Sequence, residues 1–219
     1  MKIKWYGHSA FLIETENGTR ILTDPCAPTT GYELNDIACD IVTSSHSHYD
    51  HNYFVAAAGT PEILSQEGEY EINGVKLRAI RSYHDEEHGA LRGTNLIFTI
   101  EADGMRLVHL GDLGHLLSPE LADEIGVRPD VLMCPVGGTY TINGTGACNV
   151  SACLHPNIVI PMHYQTEALT LSKPIAGVDD FLRNTRASDI QRQNSSECVI
   201  TKETLPNHCR VIVLSYDKD

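Results

Sequence analysis

Alternating apolar and polar positions dominate the first half of the chain. Residues 2–6 and 10–15 alternate on either side of Gly7-His8-Ser9 and predict two short strands, with a turn at Glu16-Asn17-Gly18. Arg20-Ile21-Leu22-Thr23 predicts a third strand, ending at Asp24-Pro25. After an irregular stretch over 26–39, the apolar run Asp40–Ser45 reads as a buried strand. Residues 52–59 predict a short helix stopped by Gly59. The segments 62–65, 69–73 and 75–83 alternate like meander strands, with a hairpin turn at Asn73-Gly74. Residues 95–101 and 105–110 predict a further hairpin across Ala102-Asp103-Gly104.

Helical signals enter in the second half. Ser118-Pro119-Glu120-Leu121 reads as a helix start, serine at the N-cap and proline in the first turn. The buried strand 130–135 leads into a flexible loop, Gly137-Gly138-Thr139-Tyr140-Thr141. A short helix over 149–154 precedes a buried strand over 157–162, which ends at His163. Residues 165–196 are polar and mixed, with one helix at 178–184, and strands near 197–201 and 209–215 close the chain. No linker, low-complexity tract or short-period repeat interrupts this order, so one domain over 1–219 is expected.

The chemistry concentrates where strands end. His46-Ser47-His48-Tyr49-Asp50-His51 puts four metal-capable side chains in six residues directly after a strand. In extended backbone His46, His48 and Asp50 share a face, and a turn after Asp50 brings His51 in from another side. That is the geometry of two adjacent metal sites. Later strands end in His84, Asp112 and His163. His84-Asp85-Glu86-Glu87-His88 places histidines four apart, as in the zinc-protease helix. Asp85 stands where that motif needs glutamate, however, and Gly89 and Gly93 leave no long helix, so His84 is the ligand and His88 a flank residue. His109 and Asp112 cannot share a face of a regular strand, which favours Asp112. His46, His48 and His84 give three nitrogens to one ion; Asp50, His51 and His163 give three ligands to a second; Asp112 can bridge the two. With no thiolate in the set, two Zn²⁺ fit, and Mn²⁺ or Fe²⁺ are permitted. Asp24 either caps a turn or supports a histidine from behind, and His8, also at a strand end, is placed with it as a supporting residue.

Composition narrows the function classes. The chain has 219 residues, 42% of them hydrophobic, which suffices for a sizeable core. No run approaches the roughly 18 apolar residues of a membrane span, and the alternating start has no signal-peptide core; no membrane association and a cytoplasmic location are expected. Seven cysteines include no Cys-x-x-Cys pair. A net charge of −13 without any basic cluster argues against a nucleic-acid partner.

These strand-end residues, in this order, resemble the metallo-β-lactamase superfamily. Asp24, the His-x-His-x-Asp-His run at 46–51, His84, Asp112 in His-Leu-Gly-Asp and His163 in Pro-Met-His-Tyr follow the family's order from 24 to 163. Gly7-His8-Ser9, the segment 109–115 and Pro161-Met162-His163-Tyr164 look most like its L-ascorbate-6-phosphate-lactonase-like branch. The resemblance implies an α+β fold, a four-layer αββα sandwich of two mixed sheets with helices outside and the site at one edge. It also implies a place for Asp24 near the metals. Asp112 stands where true β-lactamases have cysteine, which disfavours penicillin hydrolysis. His48 stands where flavodiiron proteins need glutamate, which disfavours oxygen or nitric oxide reduction.

The expected activity is hydrolysis of a small ester, lactone or phosphodiester by a hydroxide bridging two ions, oriented by Asp50. His115 or Tyr140 would protonate the leaving group. Arg92 is either an anchor for an anionic substrate group or half of a salt bridge. The alternatives are a non-catalytic metal-binding or sensing protein on the same scaffold, and a nuclease. Nothing in the sequence fixes the oligomeric state.

Overall fold

The computed structural model describes residues 1–216. Two mixed sheets pack face to face in an α+β sandwich. The first runs in the order Glu197–Val199, Lys2–Gly7, Ala10–Glu14, Arg20–Thr23, Ile41–Thr43, Glu62–Leu64. The second has eight strands, Ile190–Arg192, Arg210–Val213, Ile158–Met162, Val131–Pro135, Met105–His109, Thr94–Ala102, Val75–Tyr83 and Gly68–Ile72.

The period-two pattern sorts side chains onto the two faces of the first sheet. Ile3, Trp5, Phe11, Ile13, Ile21 and Ile41 join the main core between the sheets. Their neighbours Ala10, Leu22 and Val42 face the other way, under Cys26, Tyr32, Leu34, Leu169 and Ile175. The parallel strands Met105–His109, Val131–Pro135 and Ile158–Met162 are buried throughout or nearly so. Helices Pro119–Ile125 and Gly144–Leu154 lie in the connections between them and send Ala122, Ile125, Ala147, Val150 and Leu154 into the main core.

Three elements differ from expectation. Residues 52–59 form a 3-10 turn, Phe54–Ala56, and a two-residue strand, Ala57–Ala58, instead of a helix. Tyr53 N–H donates to Pro25 O, and Ala57–Ala58 pairs in parallel with Ile37–Ala38. These distant partners satisfy the backbone that a helix would have satisfied locally. The helix expected over 149–154 starts at Gly144, because the Asn143 side chain caps it by accepting from Gly146 N–H. Ile190–Arg192, in the stretch read as polar and mixed, is an edge strand beside Arg210–Val213. Helices therefore cover the second sheet, while 3-10 turns and loops cover the outer face of the first.

All strands that matter for the site end at the same edge. Lys2–Gly7 and Ile41–Thr43 run in the same sense as Arg20–Thr23. In the second sheet Val75–Tyr83 runs with Met105–His109, Val131–Pro135 and Ile158–Met162. Their carboxyl ends bring His8, Asp24, the 44–51 segment, His84, Asp112 and His163 to one rim. Among the described residues no helix is long and apolar enough to cross a membrane.

Candidate functional site

Eight histidines and aspartates named above converge at this rim. His46, His48 and His84 each direct a ligand-type atom to within 4.8 Å of the others, and Asp50, His51, His163 and His8 do the same. Asp112 lies between the groups. Its Oδ2 is 3.2 Å from both His84 Nε2 and His163 Nε2, and its Oδ1 is 3.2 Å from His51 Nε2. Two ligands of one tetrahedral zinc stand roughly 3.3 Å apart, given bonds of about 2.0–2.1 Å. The spacing suits a shared cation.

Unpartnered atoms make the same point. His46 Nε2, His51 Nε2 and Asp112 Oδ1 are buried without a hydrogen-bond partner, as is Nδ1 of His8, His84 and His163. Orphaned buried polar atoms are costly and rare, and those of His46, His51 and Asp112 belong to one group of ligand-type atoms within 4.8 Å of one another. A metal ion is the group that satisfies several nitrogen lone pairs and carboxylate oxygens at once. The residues fit it.

Hydrogen bonds behind the cluster fix which nitrogens face inward. Asp24 is fully buried, and its Oδ1 accepts from Ser45 N–H at 2.7 Å. Its Oδ2 accepts from Ser45 Oγ–H at 2.6 Å and from His51 Nδ1–H at 2.8 Å. Ser45 Oγ, its proton given to Asp24, accepts from His46 Nδ1–H at 2.9 Å. One carboxylate thus sets the tautomer of two imidazoles, leaving the Nε2 of each toward the site. Ser45 carried no signal in the sequence, because a serine before a histidine cluster reads as loop.

Asn95 is the second residue that sequence reading missed. It is fully buried on strand Thr94–Ala102; its Oδ1 accepts from Asp112 N–H, and its Nδ2 donates to Ser82 Oγ and Leu110 O. Gly111 has φ +55°, and a Cβ there would stand 2.4 Å from Asn95 Oδ1 and 2.5 Å from Ser45 Cβ. That close approach holds the Asp112 backbone. Asn95→Ala is expected to lower stability by about 2–3 kcal/mol, since it leaves buried groups unpaired. A urea melt, with bound metal counted in parallel, checks this.

His8, Asp24 and His163 all sit at φ between 39° and 51°. Left-handed backbone costs non-glycine residues of order 1–3 kcal/mol each, and such strain gathers at functional rims. His8, expected to stand behind the ligands, lies among them: its Nε2–H donates to Asp50 Oδ2 at 3.2 Å, and its ring centroid is 4.1 Å from that of His163.

Electrostatics differ sharply within the cluster. Burial, with His51 nearby, pulls His46 down to about 3. Burial and the neighbouring His163 pull His8 down to about 4. Both are neutral at pH 7, the form that binds metal. Burial also pushes His51 down, but the Asp112 and Asp50 carboxylates outweigh it and hold His51 well above its usual value. Burial opposes ionisation of Asp112, yet His163 and His51 keep its carboxyl well below the usual range.

Three other expected residues have partners outside the cluster. His115 has both ring nitrogens on backbone, Nε2 accepting from Tyr83 N–H and Nδ1–H donating to Leu116 O, so it has no free nitrogen for a leaving group. Tyr140 shares its hydroxyl with Ser172 Oγ at 2.8 Å and accepts from Lys173 N–H. Arg92 lines a cavity of about 410 Å³ together with His46 and His48. His48 is exposed, which leaves the cluster open to solvent on that side. His88 is exposed as well, its ring 5.3 Å from that of Tyr83. All seven cysteines are free.

Comparison with known proteins agrees with this geometry. Residues 2–163 match the model of the beta-lactamase superfamily domain. A crystal structure from Thermotoga maritima, provisionally described as a zinc-dependent hydrolase of the metallo-β-lactamase superfamily, is 36% identical; the match covers 97% of each chain with a TM-score of 0.80. A UPF0173 metal-dependent hydrolase of Thermoplasma volcanium is 28% identical over 200 residues, 80% of this chain and 88% of that protein. The metallo-β-lactamase fold protein YhfI of Bacillus subtilis, at 12% identity and a TM-score of 0.60 over 98% of this chain and 97% of that one, shares the fold.

Proposed function

This chain belongs to the metallo-β-lactamase superfamily, and we propose that within it the protein is a dinuclear metal-dependent hydrolase of a small ester, lactone or phosphodiester. Asp112 carries this reading: one buried carboxylate stands 3.2 Å from imidazoles of both triads. His46, His48 and His84 would hold one ion, and Asp50, His51 and His163 the other, with His8 within reach of the second set. Zinc suits the nitrogen-rich set, and manganese or iron are compatible with it. Metal bound there supplies a water brought to a pKa near 7 and positive charge that offsets what develops on the substrate.

The protein's own groups do the rest. Asp50, fixed by His8, orients the attacking water. Asp24, through Ser45 and His51, holds the ligand rings in register. Of the two candidate proton donors, His115 has both ring nitrogens bonded to backbone, which supports assigning protonation of the leaving group to Tyr140 with its partner Ser172. The likeness of Gly7-His8-Ser9 and Pro161-Met162-His163-Tyr164 to the ascorbate-phosphate-lactonase-like branch favours a lactone among the three substrate classes.

The test is turnover of lactones, aryl esters and aryl phosphodiesters with and without chelator. At least one chelator-sensitive activity is expected. Failure of the whole panel by protein holding two ions would favour a non-catalytic metal-binding role. Fewer than one ion per chain after metal-supplemented purification would overturn the dinuclear site.

Metal removal also has a stability signature. At a metal concentration near 1,000 times the Kd, binding contributes about 4 kcal/mol, so chelation is expected to lower Tm by roughly 10 °C at neutral pH. His51 must lose its proton to bind metal, so the gap between loaded and chelated melts widens as pH rises and narrows in acid. Melting curves from pH 5 to 8 give both numbers.

A further inference from the structure

Arg92, on the wall of the cavity beside His46 and His48, carries a guanidinium without an acid partner among the described residues. The protein carries 29 acidic and 16 basic residues, and several of its arginines are paired with carboxylates. Arg78 holds Glu124, Arg81 holds Glu67, Arg183 holds Asp180 and Arg192 holds Asp179. Arg92 does not follow them. Among the described residues no carboxylate lies within ion-pair range of its guanidinium, whose Nη2–H donates to Thr139 O at 3.1 Å and which lies over the Tyr140 ring at 5.9 Å. The one acid lining the same cavity, Glu67, is taken by Arg81. Arg20, Arg106, Arg128, Arg186 and Arg210 also form no ion pair among the described residues, and what sets Arg92 apart from them is its place on the cavity wall beside His46 and His48.

The loop that carries Arg92 is held from within. Asp85 is buried, and its Oδ1 accepts from Glu87 and Gly89 N–H, while its Oδ2 accepts from Leu91 and Arg92 N–H. Gly93 O accepts from His84 N–H, which ties the loop's end to the residue that supplies a ligand-type nitrogen. The Arg92 backbone is thus set directly against the cluster. A planar guanidinium there presents the fork that carboxylates and phosphates accept.

We infer that Arg92 forms an anion subsite of the substrate cavity, and that the substrate carries a carboxylate or phosphate group apart from its scissile bond. This rests on the hydrolase reading above and narrows it to anionic esters and lactones. Asp85 is a positioning residue for that subsite.

Two measurements test it. The first uses metal-loaded protein with a matched pair of lactones, one neutral and one bearing a carboxylate. Arg92→Ala is expected to lower the preference for the charged lactone, measured as the ratio of kcat/KM values, by roughly 10–100-fold, through KM more than kcat. Arg92→Lys, which keeps the charge but loses the fork, recovers part of it. An equal loss on both lactones would mean that Arg92 only staples the loop to Thr139, and would overturn the subsite. The second measurement needs no turnover. In chelated, ¹⁵N-labelled protein titrated with inorganic phosphate, the Arg92 Nε–H resonance, identified by its loss in Arg92→Lys, is expected to shift saturably in the range of roughly 1–10 mM. A resonance that stays still overturns the subsite even where the lactones are hydrolysed. A shift in protein that hydrolyses nothing supports the subsite while the hydrolase reading fails.

Discussion

Replacing Asp112 with asparagine is expected to cost about 10³-fold or more in hydrolytic rate, the equivalent of roughly 4 kcal/mol of metal-derived stabilisation. Bound metal should fall below two ions per chain in the same variant. The reason lies in the contacts of one side chain. Asp112 faces His51 through Oδ1, and His84 and His163 through Oδ2, each at 3.2 Å. Among the described residues no other acid lies within ion-pair range of imidazoles from both triads. An amide of the same shape keeps the packing and the backbone bond to Asn95, but removes the charge and one acceptor. A fold intact by circular dichroism with metal and activity lost is the expected pair of results. Wild-type metal content and rate in Asp112→Asn would refute a bridging role.

The second large effect is at Asp24. Asp24→Ala is expected to destabilise the protein by about 3–5 kcal/mol, because it leaves His51 and Ser45 without a buried partner. Metal affinity should also weaken by roughly 10–100-fold, as the His46 and His51 rings lose the groups that orient them. The pH dependence separates this loss from simple cavity formation. Burial works against ionisation of Asp24, but its bond from His51 prevails and holds its carboxyl below the usual value. A depressed folded pKa gives stability that is complete above the unfolded value of about 4 and is lost as pH falls through the folded one. Denaturant melts from pH 7 to pH 3 should therefore show wild type losing its advantage over Asp24→Ala in acid. A constant difference across that range would assign the effect to packing alone.

Much of the rim was legible because its residues are local or lie at strand ends. The period-two alternation gives strand direction and face, and polar metal-type residues stop the apolar runs at 46, 84, 112 and 163. His46, His48, Asp50 and His51 are close in sequence, so their convergence needs only a strand and a turn. The expected helix over 52–59 failed for the opposite reason: what organises it is Pro25 and the pairing with Ile37–Ala38, far away in the chain. The helix start at Gly144 was hidden because glycine has poor propensity, while one side chain, Asn143, caps it.

Sequence by itself determined the kinds of atom at the site and the sheet edge they occupy, since residue type and alternation are properties of the chain alone. Only tertiary structure decided how those atoms face one another. Whether Asp112 looks at one triad or both depends on Asn95, fully buried on a neighbouring strand, and on the close approach that Gly111 permits. Whether His46 and His51 offer Nε2 or Nδ1 depends on Asp24, which reaches one directly and the other through Ser45. Whether Arg92 has an acid partner depends on which acids the fold brings within 4 Å, and Glu67, the acid on the same cavity wall, pairs with Arg81. Hydrogen bonds and ion pairs act over a few ångströms, and that distance is set by packing across the two sheets.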